Sequence, residues 1–331
     1  MSNAQYGFVR GRGTADLLLQ ISADVRNSDD KYVIGILLDI SSAFDNAWWL
    51  LILDSLRRRE CPRNIHAVLC DYLKDRKVSL VYRGLQVSKS LSRGCPQGSV
   101  LGPHLWNVVM DSLLRLDLGE NVKVYAYADD LTVLLGGNSR SAVENRANEA
   151  MARVLEWGGN SKMSFSSSKS QAILLKSSLD PRRPPLFRIR GTRIAFKKSV
   201  VILGVTVGTG LSFVGHVNKI SDSARDAFMK LRRISKANWG LDCLTMRTLY
   251  RSIYEGILTY AAPVWVDELT RVTTKCKLLS AQRSPVLAVI KGYRTISTDA
   301  LPVIAGVWPT DLLVRLRASD YLHKRGLPRR W

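Results

Sequence analysis

The chain has 331 residues, with 49 Lys and Arg against 28 Asp and Glu, for a formal net charge of +21. Its 46% hydrophobic and 23% charged residues are globular proportions, which excludes a disordered, collagen-like or low-complexity chain. The longest apolar runs reach about nine residues, against roughly 20 for a membrane-spanning helix, and the first 30 residues hold no apolar core of a secretory signal. Five cysteines without a C-x-x-C pair argue against a disulfide scaffold or a structural zinc site and fit a reducing compartment.

In chain order, residues 5–14 form a Gly/Arg-rich loop, and Thr14 or Asp16 begins a helix. Residues 32–39 are a continuous apolar run ending on Asp39, the pattern of a strand buried on both faces. Ser42-Ala-Phe-Asp45 matches a capping box, which predicts a helix from there to about Glu60. Residues 78–92 predict a hairpin around Arg83-Gly84. Gly94-Cys-Pro-Gln-Gly98 predicts a turn, and apolar residues at helical spacing follow from Leu101. Residues 122–135 form a second hairpin with Asp129-Asp130 at its tip. Val143 to Trp157 is an amphipathic helix that Gly158-Gly159 should stop. Short strands are expected over 171–176 and 186–207. Helices are expected over about 216–237, 244–260, 271–283 and 310–325. Strands mixed with helices thus give way near residue 210 to a helical region.

Charge follows the same division. Residues 1–175 hold 21 basic and 18 acidic side chains, whereas residues 176–331 hold 28 and 10. A surface that tracks a polyanion would divide this way, because phosphate contacts dominate sequence-independent nucleic-acid binding. From charge alone, solvated cationic faces or a membrane-surface patch remain alternatives.

Asp39 stands at a strand end, and Asp129 and Asp130 stand together at a hairpin tip. Like charges gathered there cost free energy unless cations compensate them. A pair of hard Mg²⁺-type cations, as used in phosphoryl transfer, would do so. A solvated Asp-Asp turn is the bland alternative, since Asp is common in turns. Asp45 is accounted for by the capping box.

Three segments taken together resemble a family. Leu38-Asp39-Ile-Ser-Ser-Ala-Phe44-Asp45, Gly94-Cys-Pro-Gln97-Gly98-Ser and Tyr127-Ala-Asp129-Asp130 resemble reverse transcriptase motifs A, B and C, in order and at suitable spacing. The opening Gln5-Tyr-Gly-Phe with Gly11-Arg12 is similar to the segment before motif A in non-LTR (LINE-type) retrotransposon enzymes. Phe44-Asp45-Asn with Trp48-Trp49 is most like the site-specific arthropod group that inserts into ribosomal DNA or telomeric repeats. Ser168-Lys169-Ser170 resembles motif D, and Ile202-Leu203-Gly204-Val205 resembles motif E. Ser297-Thr-Asp-Ala-Leu through Gly306 resembles that group's post-thumb segment.

The resemblance implies an α+β fold: a right-hand polymerase palm, an antiparallel sheet with helices on one face, with partial fingers over residues 1–210. A basic helical thumb and post-thumb segment would occupy 211–331. The implied activity is RNA-directed DNA polymerisation by two-metal catalysis, in target-primed reverse transcription. Asp39, Asp129 and Asp130 would hold two Mg²⁺ ions, with Mn²⁺ as a substitute. Phe44 would exclude a ribose 2′-hydroxyl, and Gln97 and Gly98 would lie against the template base and incoming nucleotide. Lys169 would sit near the triphosphate. Leu203 and Gly204 would belong to the primer grip, and Arg232 and Arg233 to the thumb surface holding template and primer. Ordinary packing, turn or solvent roles are the alternatives for each residue outside the acidic set. Implied partners are an RNA template, a DNA primer, dNTPs and an element-encoded endonuclease domain, with no membrane; the implied location is nuclear.

Val9, Gly13 and Ser166-Ser167-Ser168 depart from the usual family residues, but none of these positions is one of the acids. The chain opens close to motif A, so fingers strands that cover the triphosphate are expected upstream and this stretch alone is expected to extend primers slowly. A non-catalytic nucleic-acid-binding remnant and an unrelated metal-dependent phosphatase or nuclease are the competing readings.

Overall fold

The computed structural model describes residues 1–177, 185–231 and 240–328. They form two compact units, Met1–Lys198 and Ser199–Trp331. The sequence-predicted Arg232 and Arg233 lie outside the described residues.

The first unit is built on a five-stranded sheet in the order β4-β5-β1-β6-β9. Its strands are β1 (Tyr32–Ile40), β4 (Val122–Tyr127), β5 (Asp130–Gly137), β6 (Phe165–Lys176) and β9 (Ala195–Phe196). Pairing is antiparallel except between β6 and β9. The apolar run of β1 makes it the central strand, with β5 on one edge and β6 on the other. Because side chains alternate across a strand, Ile34, Ile36, Leu38 and Ile40 fall on one face. There they join the core formed with α5 (Gly102–Leu114) and α6 (Arg140–Asn160), through Trp106, Val109, Met110, Ala147 and Val154.

Val33, Gly35, Leu37 and Asp39 therefore face the other way. Tyr125, paired to Thr132, which in turn pairs with Leu37, shares that second face. The helix α1 (Thr14–Asn27) is fastened there: Asp24 accepts a hydrogen bond from the Tyr125 hydroxyl and pairs with Lys123 Nζ at 2.7 Å. Helical cover is thus heaviest on the α5/α6 face, with α1 adding to the opposite one.

Between β1 and α5 run α2 (Ala43–Asn46), α3 (Trp49–Arg58), α4 (Arg63–Leu73) and the hairpin of β2 (Lys77–Tyr82) and β3 (Leu85–Ser90). Arg83 and Gly84 both take positive φ, the geometry that matches hairpin twist, and every residue of both strands is exposed. Further along, β7 (Arg188–Ile189) and β8 (Thr192–Arg193) pair around an Arg190–Gly191 turn.

Three expectations fail in this unit. The capping box at Ser42 does not form, because Ser42 is left-handed (φ 48°) and its side chain makes no cap. The predicted helix to Glu60 is instead broken at Ala47–Trp48. Backbone there pairs outside the helix: Gly94 N donates to Ala47 O at 2.8 Å, and Trp48 bridges Arg93. Nor does Gly158-Gly159 end α6, which runs through to Asn160. At Gly158 a Cβ would stand 2.9 Å from the Phe165 ring and 3.0 Å from Met163 O, so this glycine permits close approach of β6.

In the second unit, β10 (Ser199–Ile202) and β11 (Val205–Gly208) form a hairpin, followed by α7 (Val214–Met229). The helix α8 (Cys243–Leu249) continues through a π-helical turn, Tyr250–Glu255, into α9 (Gly256–Leu258). Then come α10 (Ala262–Trp265), α11 (Val272–Val289), α12 (Ala300–Ala305) and α13 (Thr310–Lys324). Tyr250 and Tyr254 stack at 4.8 Å in its interior, and Gln282 donates to the Tyr250 hydroxyl at 3.0 Å. No helix among the described residues is long and apolar enough to cross a membrane.

The Gly158 contact sets two effects against each other. Gly to Ala in a helix interior gains about 1 kcal/mol of propensity, whereas overpacking costs about 1–3 kcal/mol. Gly158→Ala is expected to lower the urea midpoint of the first unit; a raised midpoint would show that Phe165 moves aside freely.

Candidate active site

Asp39 is the next-to-last residue of β1, and its position is set by a bulge. The β1–β6 register shifts between Leu37 and Asp39, and a bulge re-aims the side chain beside it. The Asp39 amide takes the Ser170 hydroxyl, at 3.4 Å, as acceptor, and that hydroxyl donates to Ser166 O at 2.7 Å. Lys169 Nζ lies 3.7 Å from Asp39 Oδ2, so the motif D lysine does reach the motif A acid.

The second hairpin turns one residue earlier than its sequence pattern implies. Tyr127 pairs with Asp130, leaving Ala128 and Asp129 as the two turn residues, with Ala128 left-handed at φ 59°. Asp130 is therefore the first residue of β5. The β1–β5 register ends at Leu38↔Leu131. Continued by one residue, it sets Asp39 across from Asp130, on the sheet face away from α5 and α6.

Electrostatics agree with this placement. The Asp130 carboxyl is raised above its ordinary range, first because surrounding protein displaces water, then by the charges of Asp129 and Asp39. The charges of Asp129 and Asp39 thus add to the cost of ionising Asp130. Among the described residues no three His, Cys, Asp or Glu side chains form a ready cage for an ion. The donor set nonetheless fits Mg²⁺, which is commonly held by one or two carboxylates with substrate phosphates and water completing the shell.

The motif B turn is stitched to motif A. Cys95 N donates to Phe44 O at 2.8 Å, and the Trp49 indole donates to Gly94 O at 2.8 Å. Burial pushes the Cys95 thiol up to about 12, so it stays protonated. Gln97 is exposed, with Nε2 3.5 Å from Asp45 Oδ1. Gly98 takes φ 79° with open space where a Cβ would stand. Phe44 stacks on Trp106 at 5.1 Å and meets the ring of Phe8 edge-on at 6.1 Å. It is thus half-buried, with packing of its own on one side.

Within the second unit, Leu203 and Gly204 are the turn of the β10–β11 hairpin, both at positive φ (48° and 80°). The Tyr260 hydroxyl donates to Leu203 O at 2.8 Å.

Sequence reasoning gave no role to the segment that grips the Ala128–Asp129 turn. Gln5 and Tyr6 pair with Ala126 at the edge of β4, and Asn107 on α5 holds Gly7. The only signal for it was the Gln5-Tyr-Gly-Phe resemblance.

A strand-end acid and an acidic hairpin turn thus lie together at one end of the sheet, on the face away from α5 and α6. The family model described as reverse transcriptase (RNA-dependent DNA polymerase) matches residues 1–207. The chain belongs to the reverse transcriptase family, whose members use divalent metal ions and copy an RNA template from a primer. It is 34% identical over 324 residues to a 115 kDa protein in type-1 retrotransposable element R1DM of Drosophila melanogaster, covering 98% of this chain and 31% of that one. A Pol polyprotein from type-1 retrotransposable element R1 of Bradysia coprophila is 34% identical, with 99% and 32% covered. An RNA-directed DNA polymerase from mobile element jockey of Drosophila melanogaster is 25% identical, with 84% and 31% covered. These matches bear out the non-LTR resemblance, and the chain spans about a third of the length of these relatives.

Desolvation of Asp130, with the nearby charges of Asp129 and Asp39, predicts a stability gain on removing its charge. A raised folded-state carboxyl pKa means that ionisation favours the unfolded chain as pH rises above the ordinary value of 3.8. Without divalent ions, Asp130→Asn is expected to melt at a higher temperature than the parent at pH 7. That difference should shrink toward pH 4, where the carboxyl is increasingly protonated in both states. Equal melting temperatures at pH 7 would show that ionising Asp130 costs the fold nothing appreciable.

Proposed function

We propose that this chain is an RNA-directed DNA polymerase domain that adds dNTPs to a primer 3′-hydroxyl on an RNA template, as part of target-primed reverse transcription. The observation that carries this reading is the β1–β5 ladder, which ends at Leu38↔Leu131 and so brings Asp39 and Asp130 close, with the charges of both Asp39 and Asp129 acting on Asp130.

In this reading Asp39 and Asp129 hold two Mg²⁺ ions and Asp130 completes the negative field; Mn²⁺ substitutes for Mg²⁺. When bound, the ions supply activation of the 3′-hydroxyl and stabilisation of the leaving pyrophosphate. Lys169, already beside Asp39, is placed to neutralise triphosphate charge. Gln97 and the bare backbone of Gly98 contact the template base and incoming nucleotide. Phe44, backed by Trp106, is the wall against a ribose 2′-hydroxyl.

Residues 211–331 act as the thumb, following fingers and palm over 1–210, and the Leu203–Gly204 turn acts on the primer. Arg232 and Arg233 belong to the same basic grip, which the +18 net charge of residues 176–331 supports. An endonuclease domain encoded by the same element and a nuclear location complete the proposal.

Asp129→Ala is expected to slow single-turnover extension at least about 100-fold, the effect of about 3 kcal/mol in the barrier, in an assay with RNA template, DNA primer, dNTPs and Mg²⁺. Template-primer affinity by fluorescence anisotropy should stay near that of the parent. Extension within about threefold of the parent would remove Asp129 from the chemistry and favour a non-catalytic nucleic-acid-binding remnant.

Phe44→Val should open space at the ribose and raise ribonucleotide use relative to deoxyribonucleotide. The readout is the ratio of the two kcat/KM values. A ratio that does not move makes Phe44 core packing for Trp106 and Phe8.

A further inference from the structure

The Ala128–Asp129 turn does not stand alone, because a segment more than 100 residues earlier is locked onto it. Tyr6 N donates to Ala126 O at 2.8 Å and Ala126 N to Ala4 O at 3.0 Å, which lays residues 4–6 along the edge of β4. The Gln5 side chain is 2% exposed. Its Oε1 accepts from Gly7 N at 2.9 Å and from Ala128 N at 3.3 Å. A Cβ on Gly7 would lie 2.1 Å from Ala128 N, so the two backbones are in direct contact. Asn107, 1% exposed, holds Gly7 from behind by donating to its carbonyl at 3.0 Å.

We propose that Gln5 is a positioning residue for the polymerase site: its Oε1 fixes the Tyr127–Ala128 peptide and thereby the place of the Asp129 carboxylate. The inference rests on the reading of Asp129 as a catalytic acid. Ala128 is a buried, non-glycine residue at positive φ, a conformation that persists only where its surroundings impose it. Its amide is also buried and needs an acceptor, which Gln5 supplies. Gln5 Nε2 makes no hydrogen bond, so the oxygen alone anchors the side chain. Without that oxygen the Tyr127–Ala128 peptide is free to turn over, and the Asp129 carboxylate that follows it moves with it. In a site where small displacements of reacting groups cost large factors in rate, this places Gln5 in control of chemistry it does not touch.

The test compares Gln5→Met, of similar volume but lacking the acceptor, with the parent chain. Hydrogen exchange without metal or nucleotide reads the turn directly. The peptide spanning 122–130 should exchange at least about tenfold faster at Ala128, with the β1 and β5 core amides unchanged. In single-turnover extension the rate should fall about tenfold and the Mg²⁺ concentration for half-maximal rate should rise, with template-primer affinity unchanged. Gln5→Asn, which keeps an amide one methylene short, carries the same readouts should Gln5→Met fold poorly. Unchanged exchange at the turn overturns the proposal. So does a lower rate with parental Mg²⁺ dependence and faster exchange throughout the sheet, which makes Gln5 general support for the fold. Asp129→Ala run alongside separates the two claims: if it stays active, the catalytic reading fails whatever Gln5 does.

Discussion

The antiparallel pairing of β1 with β5 is the constraint on which the first unit depends. The ladder that buries Ile34, Ile36 and Leu38 ends at Leu38↔Leu131 and leaves Asp39 and Asp130 beside one another just beyond it. Holding Asp130 there is costly, first because surrounding protein displaces water and then through the charges of Asp129 and Asp39. Apolar burial of this kind contributes roughly 25 cal/mol per Å², which is ample to hold a few exposed like charges in place. Stability won on the α5/α6 face is thus spent on the opposite one, the usual trade at a functional site.

The sheet and the acids were legible in the sequence because their signals are local or ordered. An apolar run of strand length ending on Asp39 fits an interior strand, and Arg83-Gly84 between two strand-like segments fits a hairpin turn. The order of three short motifs carried the site, since each residue's meaning came from the others. Asp129-Asp130 was placed correctly as a pair but not as a turn, because Ala128 adopts a left-handed conformation that its residue type does not advertise.

What escaped the sequence depends on partners distant along the chain. Ser42 looked like the start of a helix running to Glu60, yet Ser42 is left-handed and the helix is interrupted where Ala47 and Trp48 pair with Gly94 and Arg93. Gly158 looked like a stop, yet its bareness makes room for Phe165. The Gln5 contact to Ala128 spans 123 residues and the Asn107 contact to Gly7 spans 100. No periodicity or spacing rule reaches that far, so these residues become visible only when the fold brings them together.

The bridge between Trp48 and Arg93 brings side by side the two ends of a long excursion, and the hydrogen bond from Leu91 N to Arg76 O does the same for the exposed hairpin inside it. A loop whose entry and exit are adjacent can change length at little entropic cost, since closure entropy grows only slowly with length. Evolution can therefore lengthen, shorten or replace the β2–β3 hairpin without shifting the joint between motifs A and B. In this architecture, variation in reach can accumulate at that hairpin while the register of the palm stays fixed.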